Sequence, residues 1–236
     1  YDVEYMNPFV FYRPQEYSLG SSDNIVIGAA LKASIQNTTI YSQIVLDEFL
    51  LSEIRSRSGW WANKFGLQLG VKGRLTDNLN CRLEGNLVRP YTFSHLTPMQ
   101  VYGHRGSALA HPYGSNFVEV LTELNWRKKM NAKLRLKFFA SIGFLGKGIA
   151  GLNYGTDIYE SYINRPNDYG NFIGQGLKQT FFITNTRVSY PVLKEGRIHA
   201  FAELQTQYSK SDNFSDLKFI PMVGLRSYLW NDYRNY

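Results

Sequence analysis

From residue 25 onward, apolar and polar residues alternate with a period of two, the signature of strands that keep one face greasy and the other wet. In 65–75, Phe65, Leu67, Leu69 and Val71 share one face and Gln68, Lys72 and Arg74 the other. In 78–88, Leu79, Cys81, Leu83 and Leu87 oppose Asn80, Arg82, Glu84 and Asn86. The same holds in 133–144, where Leu134, Leu136, Phe138 and Ile142 oppose Lys133, Arg135 and Lys137. In 197–209, Ile198, Ala200, Ala202 and Leu204 oppose Arg197, His199, Glu203 and Gln205. Alternation over about ten residues exceeds the usual five or six of soluble sheets and matches the length of a membrane-spanning strand. Three stretches are less regular. Tyr41 and Val45 interrupt the polar side of 39–50, the adjacent Phe181 and Phe182 leave the facing of 176–190 open, and Pro221 predicts a bulge or strand end in 217–230.

The connections predicted between these strands are 36–38, 51–64, 76–77, 89–114, 127–132, 145–175, 191–196 and 210–216. Short and long therefore alternate, which is how an outer-membrane barrel distributes periplasmic turns and extracellular loops. With short turns inside, nine strands leave the first one entered from outside, so an earlier strand is needed. Val3, Tyr5, Phe9 and Phe11, in phase within 3–12, supply a tenth. The predicted fold is all-β: a transmembrane antiparallel β-barrel meander of about ten strands, one domain over 1–236, which could close alone or be the C-terminal part of a larger barrel. The closing aromatics Tyr228, Trp230, Tyr233 and Tyr236 suit the aromatic end of a last barrel strand.

Composition narrows the class. With 17 Tyr and 15 Phe, aromatics exceed the needs of a soluble core and suit interfacial girdles. No run approaches the roughly 18 apolar residues of a spanning helix. The net charge of +7 comes from basic residues spread over alternate strand positions rather than gathered in one helix or arm, which argues against nucleic acid. Lys32, Lys72, Arg74, Arg82, Arg135 and Lys137 are expected to give the lumen a positive field, partly neutralised by Glu84 and Glu203. The lone Cys81, in phase with Leu79 and Leu83, reads as a small apolar face residue. Tyr1 begins directly in strand-like sequence, so no signal peptide is read.

The two longest connections hold the candidate chemistry. Loop 89–114 carries His95, His104 and His111 beside Arg89, Arg105, Tyr91, Tyr102 and Tyr113. A metal site is one option for the imidazoles, but their spacing matches no compact ligand motif, and no metal is expected. A serine hydrolase is another, with Ser94 or Ser107 near a histidine, although adjacency supplies neither base geometry nor an orienting third group. Packing of the loop on itself and contact with a ligand are the remaining readings. Aromatic faces beside Arg, Asn and His donors suit sugars and carboxylates. The ligand-binding candidates are Arg89, Tyr91, His95, Tyr102, His104, Arg105, His111 and Asn116, with Arg165, Tyr169 and Asn171 from loop 145–175. In that second loop, GFLGKGIAG lacks the spacing of a P-loop and the acidic residues lack EF-hand order, so its glycines and Arg165-Pro166 read as turn punctuation.

The stretches RPYTFSH at 89–95, YGHRGSALAHPYGSNFVE at 102–119, LNYGTDI at 152–158 and RPNDYGNFIGQG at 165–176 carry a resemblance. So does IVIGAALKASIQNTTIYSQIVLDEFLLSEI at 25–54. Together they are similar to the RemB-type gliding-motility proteins of Bacteroidetes outer membranes, akin to the Wzi-type capsule assembly family. The resemblance implies an outer-membrane barrel, a full-length protein about twice this long, and a role in surface organisation; it brings no catalytic residue and no cofactor. The expected function is therefore non-enzymatic: attaching or assembling capsular polysaccharide, or supporting gliding. The alternative is a lipid or ester hydrolase using a Ser/His pair of the 89–114 loop. Expected partners are outer-membrane lipid and lipopolysaccharide, an acidic surface polysaccharide and other envelope proteins.

Overall fold

A computed structural model describes residues 24–127, 134–192, 198–212 and 214–227. The expected tenth strand at 3–12 and the closing aromatics from Tyr228 onward lie outside them. Nine long strands form one antiparallel sheet in chain order. They are β1 (Ile27–Ile35), β2 (Thr38–Glu48), β3 (Lys64–Thr76), β4 (Leu79–Val88), β7 (Phe117–Arg127), β8 (Arg135–Lys147), β9 (Leu177–Pro191), β10 (Ile198–Ser211) and β11 (Phe214–Ser227). A two-residue ladder, β5 (Gly103–His104) with β6 (Ser107–Ala108), and a short helix, α1 (Leu51–Arg55), sit in the long connections. Each of the nine strands predicted from residue 25 onward is present to within a few residues, and the architecture is the expected all-β meander. Strand contacts run only between sheet neighbours, so among the described residues β1 and β11 are the two edges and the sheet does not close on itself.

The last connection corrects the expected alternation. Ser211 pairs directly with Phe214, so the predicted seven-residue loop 210–216 is a tight turn and β11 begins three residues early. The apolar-polar alternation simply continues through Phe214, Asp216 and Lys218 on one face and Leu217 and Phe219 on the other. No bulge forms at Pro221 either: the register runs unbroken through Leu204↔Pro221. An edge strand tolerates the missing N–H because its outer side has no ladder to donate to.

Burial is inverted relative to a soluble sheet. Leu67, Leu83, Leu136 and Leu204 are 42%, 49%, 37% and 45% exposed, whereas Glu84, Asn86, Glu119, Ser141 and Glu203 on the opposite face are buried. Among the described residues, no second sheet or helix layer covers the apolar side. The doubtful strands resolve in the same sense: Phe182 faces out with Val188, and Phe181 faces in, buried beneath the loops. Tyr41 stays on the polar side because its hydroxyl donates to Glu84 across β3. Gly70 makes that crossing possible, since a Cβ there would meet the Tyr41 ring at 2.2 Å.

The hydrophobic core lies at one end of the sheet, between its polar face and the long connections. Val88, Phe93, Phe117, Leu145, Ile158 and Phe181 form it, with Tyr113 and Tyr159 packed alongside. No helix among the described residues is long and apolar enough to cross a membrane.

Candidate functional site

The long connections after β2, β4 and β8 fold into one cap over the end of the polar face. Backbone hydrogen bonds stitch them together: Trp61 N to Asp168 O at 2.9 Å, Asn171 N to Gly59 O at 2.8 Å, Tyr91 N to Gly155 O at 3.0 Å and Ser115 N to Thr156 O at 3.2 Å. Tyr91 and Phe93 adopt left-handed φ values of 65° and 71° although both are bulky and fully buried. Such conformations cost about 1–3 kcal/mol each and persist only where neighbours impose them. Here Gly155 accepts from Tyr91 N, while the Asp47 carboxylate accepts from Phe93 N at 2.9 Å. Gly155, itself at φ 81°, has no room for a side chain, because a Cβ would sit 2.4 Å from Tyr91 N.

Most of the predicted ligand contacts are structural members of this cap. The Tyr91 hydroxyl donates to Asn153 O at 2.9 Å, and burial raises its pKa to about 12. Asn116, at φ 61°, offers its amide to the carbonyls of Gly146, Tyr154 and Gln175 and accepts from Gly174 N at 2.7 Å. Asn171 bridges Gly59 O and Asn167 O. Arg89 donates to Asn171 O at 3.3 Å, and burial lowers its pKa. A His95 ring nitrogen lies 3.1 Å from Asp47 Oδ1, and one of His111 lies 3.1 Å from Glu119 Oε2 while its ring stacks on Phe117. Arg165 pairs with Asp168 and covers the Trp61 ring at 4.1 Å. Tyr102, His104, Arg105 and Tyr169 stay exposed, the first three on the β5–β6 hairpin or its flank. Loop residues therefore divide into a buried frame and a small exposed tip.

Sequence reading missed the charge at the centre of the cap. Lys64 is fully buried, with Nζ 3.0 Å from Ser94 O, 3.3 Å from Glu48 Oε2 and 4.0 Å from Asp47 Oδ2, between the Trp61 and Tyr162 rings. It closes a strand boundary, and nothing in the alternation marks it. The serine candidates separate. Ser94 is fully buried and donates to Tyr91 O at 2.8 Å, whereas Ser107 stands opposite His104 on the exposed hairpin. Among the described residues, no three His, Cys, Asp or Glu side chains gather as metal ligands would.

Below the cap, the polar face reads as rows across the strands. Near the cap come Gln43, Gln68, Asn86 and Glu119; Gln68 and Asn86 both donate to the Glu84 carboxylate of the next row. Toward the short turns the rows become basic: Lys72 beside Arg82, then Lys137 beside Arg187, then Arg127 beside Arg135. The sequence places these cations on alternate positions of separate strands, without clustering. The sheet brings them together at one end, because rows combine residues far apart in the chain.

The opposite face is apolar to its ends. Its rows run from Ala29, Ile44, Leu67, Leu87, Val118 and Phe144 at the cap side to Tyr190, Ala200 and Leu225 at the turn side. Lys178 and Lys210, both at the cap end, are the charges on this face among the described residues. Cys81 lies on this face between Leu79 and Leu83. Along β10, the ten steps from Ile198 to Tyr208 give about 33 Å of strand, or about 25 Å of height at the tilt usual for barrels, the height of a lipid-facing band.

No family model matches the chain, and no curated protein matches it. Among solved structures it is similar to the outer membrane channel DcaP of Acinetobacter baumannii, at 12% identity and a TM-score of 0.44. The match covers 87% of this chain and 53% of that one, so the chain spans about half the channel's length.

Proposed function

We propose that this chain is a wall of an outer-membrane β-barrel that works without catalysis in cell-surface organisation, engaging an anionic surface glycan or supporting gliding. The observation that carries the reading is the sheet's inverted burial: an apolar face of about 25 Å with its charge confined to one end, backed by a polar face whose carboxylates are buried. Water would leave that apolar face as an exposed patch far beyond what soluble monomers carry. Hydrocarbon removes the penalty, since every interior strand already satisfies its backbone within the sheet. Short turns then lie in the periplasm, and the cap lies at the cell surface.

The cap supports a binding or structural role over hydrolysis. The Ser94 hydroxyl is buried and bonded to a carbonyl, and His95 is bonded to Asp47 rather than to a serine. Fractionation tests the membrane part: the full chain is expected in the outer-membrane fraction and to need detergent for extraction. Recovery in buffer alone overturns it. Incubation with an acidic capsular glycan tests the surface role, with binding expected to weaken as salt rises. Turnover of a lipid ester that is lost on replacing His104 or Ser107 would overturn the non-catalytic reading.

A further inference from the structure

The polar face ends, on the side of the short turns, in an open cavity of about 710 Å³ whose charged lining is almost all cationic. Three cross-strand neighbours there carry like charge directly opposite one another: Lys72↔Arg82, Lys137↔Arg187 and Arg127↔Arg135. Directly opposed like charges destabilise an antiparallel pair, so a sheet selected for stability alone would not repeat the motif in three successive rows. The carboxylates present compensate only part of it. Glu123 lies 3.5 Å from Arg82 and 3.1 Å from Lys137, and Glu203 pairs with Arg187. Lys72, Arg74 and Arg127 make no ion pair among the described residues. Ser34, Asn37, Thr39 and Asn80 line the same cavity with neutral donors and acceptors.

We infer that this turn-side mouth, rather than the loop cap, is the binding site for an acidic oligosaccharide, with Lys72, Arg74 and Arg127 holding successive carboxylates and the neutral groups bonding sugar hydroxyls. The inference rests on the reading of the chain as a barrel wall whose ligand is an anionic glycan, and it places that glycan at the periplasmic end of the wall, before it reaches the cell surface. Adjacent strands place cations about 5 Å apart, and successive rows about 7 Å apart, so the site matches charges repeated along a chain better than one isolated ion. Cavities of this size accept one or two sugar residues. The low-dielectric walls of the sheet concentrate the field at the mouth and raise the local concentration of anions.

Fluorescein-labelled oligogalacturonate, a carboxylate glycan, titrated into the full chain in detergent micelles tests this. The triple variant Lys72→Gln, Arg74→Gln, Arg127→Gln is expected to lose about tenfold or more in affinity and to show a shallower salt dependence. The conservative variant Lys72→Arg, Arg74→Lys, Arg127→Lys is expected to bind within about twofold of the parent, as is Arg105→Gln on the cap. Unchanged affinity in the triple variant overturns the inference, and so does an equal loss in Arg105→Gln. Displacement of the glycan by inorganic phosphate at matched charge overturns it too, because the mouth would then hold single oxyanions. A parent chain that needs detergent and binds the glycan, beside a triple variant that binds equally well, defeats this site alone. A parent chain that needs no detergent defeats the barrel reading beneath it.

Discussion

Asn116 is the residue on which the cap closes. Its side chain joins Gly146, Tyr154, Gln175 and Gly174, and its left-handed backbone suits asparagine better than most residues. Asn116→Ala leaves buried carbonyls and one N–H without a partner, at roughly 1–3 kcal/mol for each group. The cap is expected to become protease-sensitive well below the temperature at which the strands unfold, as limited proteolysis would read. Tyr91 gives a pH dependence. Burial raises its pKa from 10.0 to about 12, so the folded state keeps a proton that the unfolded state gives up. Its stabilisation is complete below pH 10 and is lost as pH rises through about 12. A tyrosinate absorbance titration should show a late component there, and Tyr91→Phe should remove it.

At the scale of strands, the repeated like-charge pairs predict that one position trades stability for binding. Lys72→Glu turns the Lys72↔Arg82 pair into an attractive one and should raise stability by about 0.2–1 kcal/mol, read as a higher denaturation midpoint. The same change places a negative charge in the turn-side mouth, so anion affinity should fall; a midpoint that drops instead would show that the opposed cations are no burden to the sheet. Gly70 predicts the reverse kind of effect. A methyl there collides with the Tyr41 ring and displaces its hydroxyl from Glu84. Gly70→Ala should cost about 1–3 kcal/mol in denaturant unfolding, as an overpacked contact does.

For the whole molecule, the decisive quantity is the medium on the apolar side. Leu83 lies on a middle row of that face, so Leu83→Arg should cost about 2–4 kcal/mol when the chain is unfolded from lipid vesicles. Gln207→Arg, facing the other way, should change it by no more than about 0.5 kcal/mol. Equal small costs at both positions would mean that water bathes both faces. The sheet is also open among the described residues, with β1 and β11 exposed over nearly their whole length. A barrel must pair both edges.

The nine described strands and the facing of most of them were legible in the amino-acid order, because side chains alternate strictly and a slip of one residue would put Lys72 and Arg82 on the apolar face. The direct pairing of Ser211 with Phe214 escaped notice because alternation simply continues past it. The roles of the loop residues were not legible. His95, Tyr91 and Asn116 look like ligand donors in a list of residues, and only the folded cap shows their polar atoms taken up by Asp47, Asn153 and neighbouring carbonyls. The cationic mouth also belongs to the tertiary structure. Local order decides which face a side chain takes, whereas strand register decides its neighbours across the sheet, and register brought Arg127 beside Arg135 and Lys72 beside Arg82 at the same end.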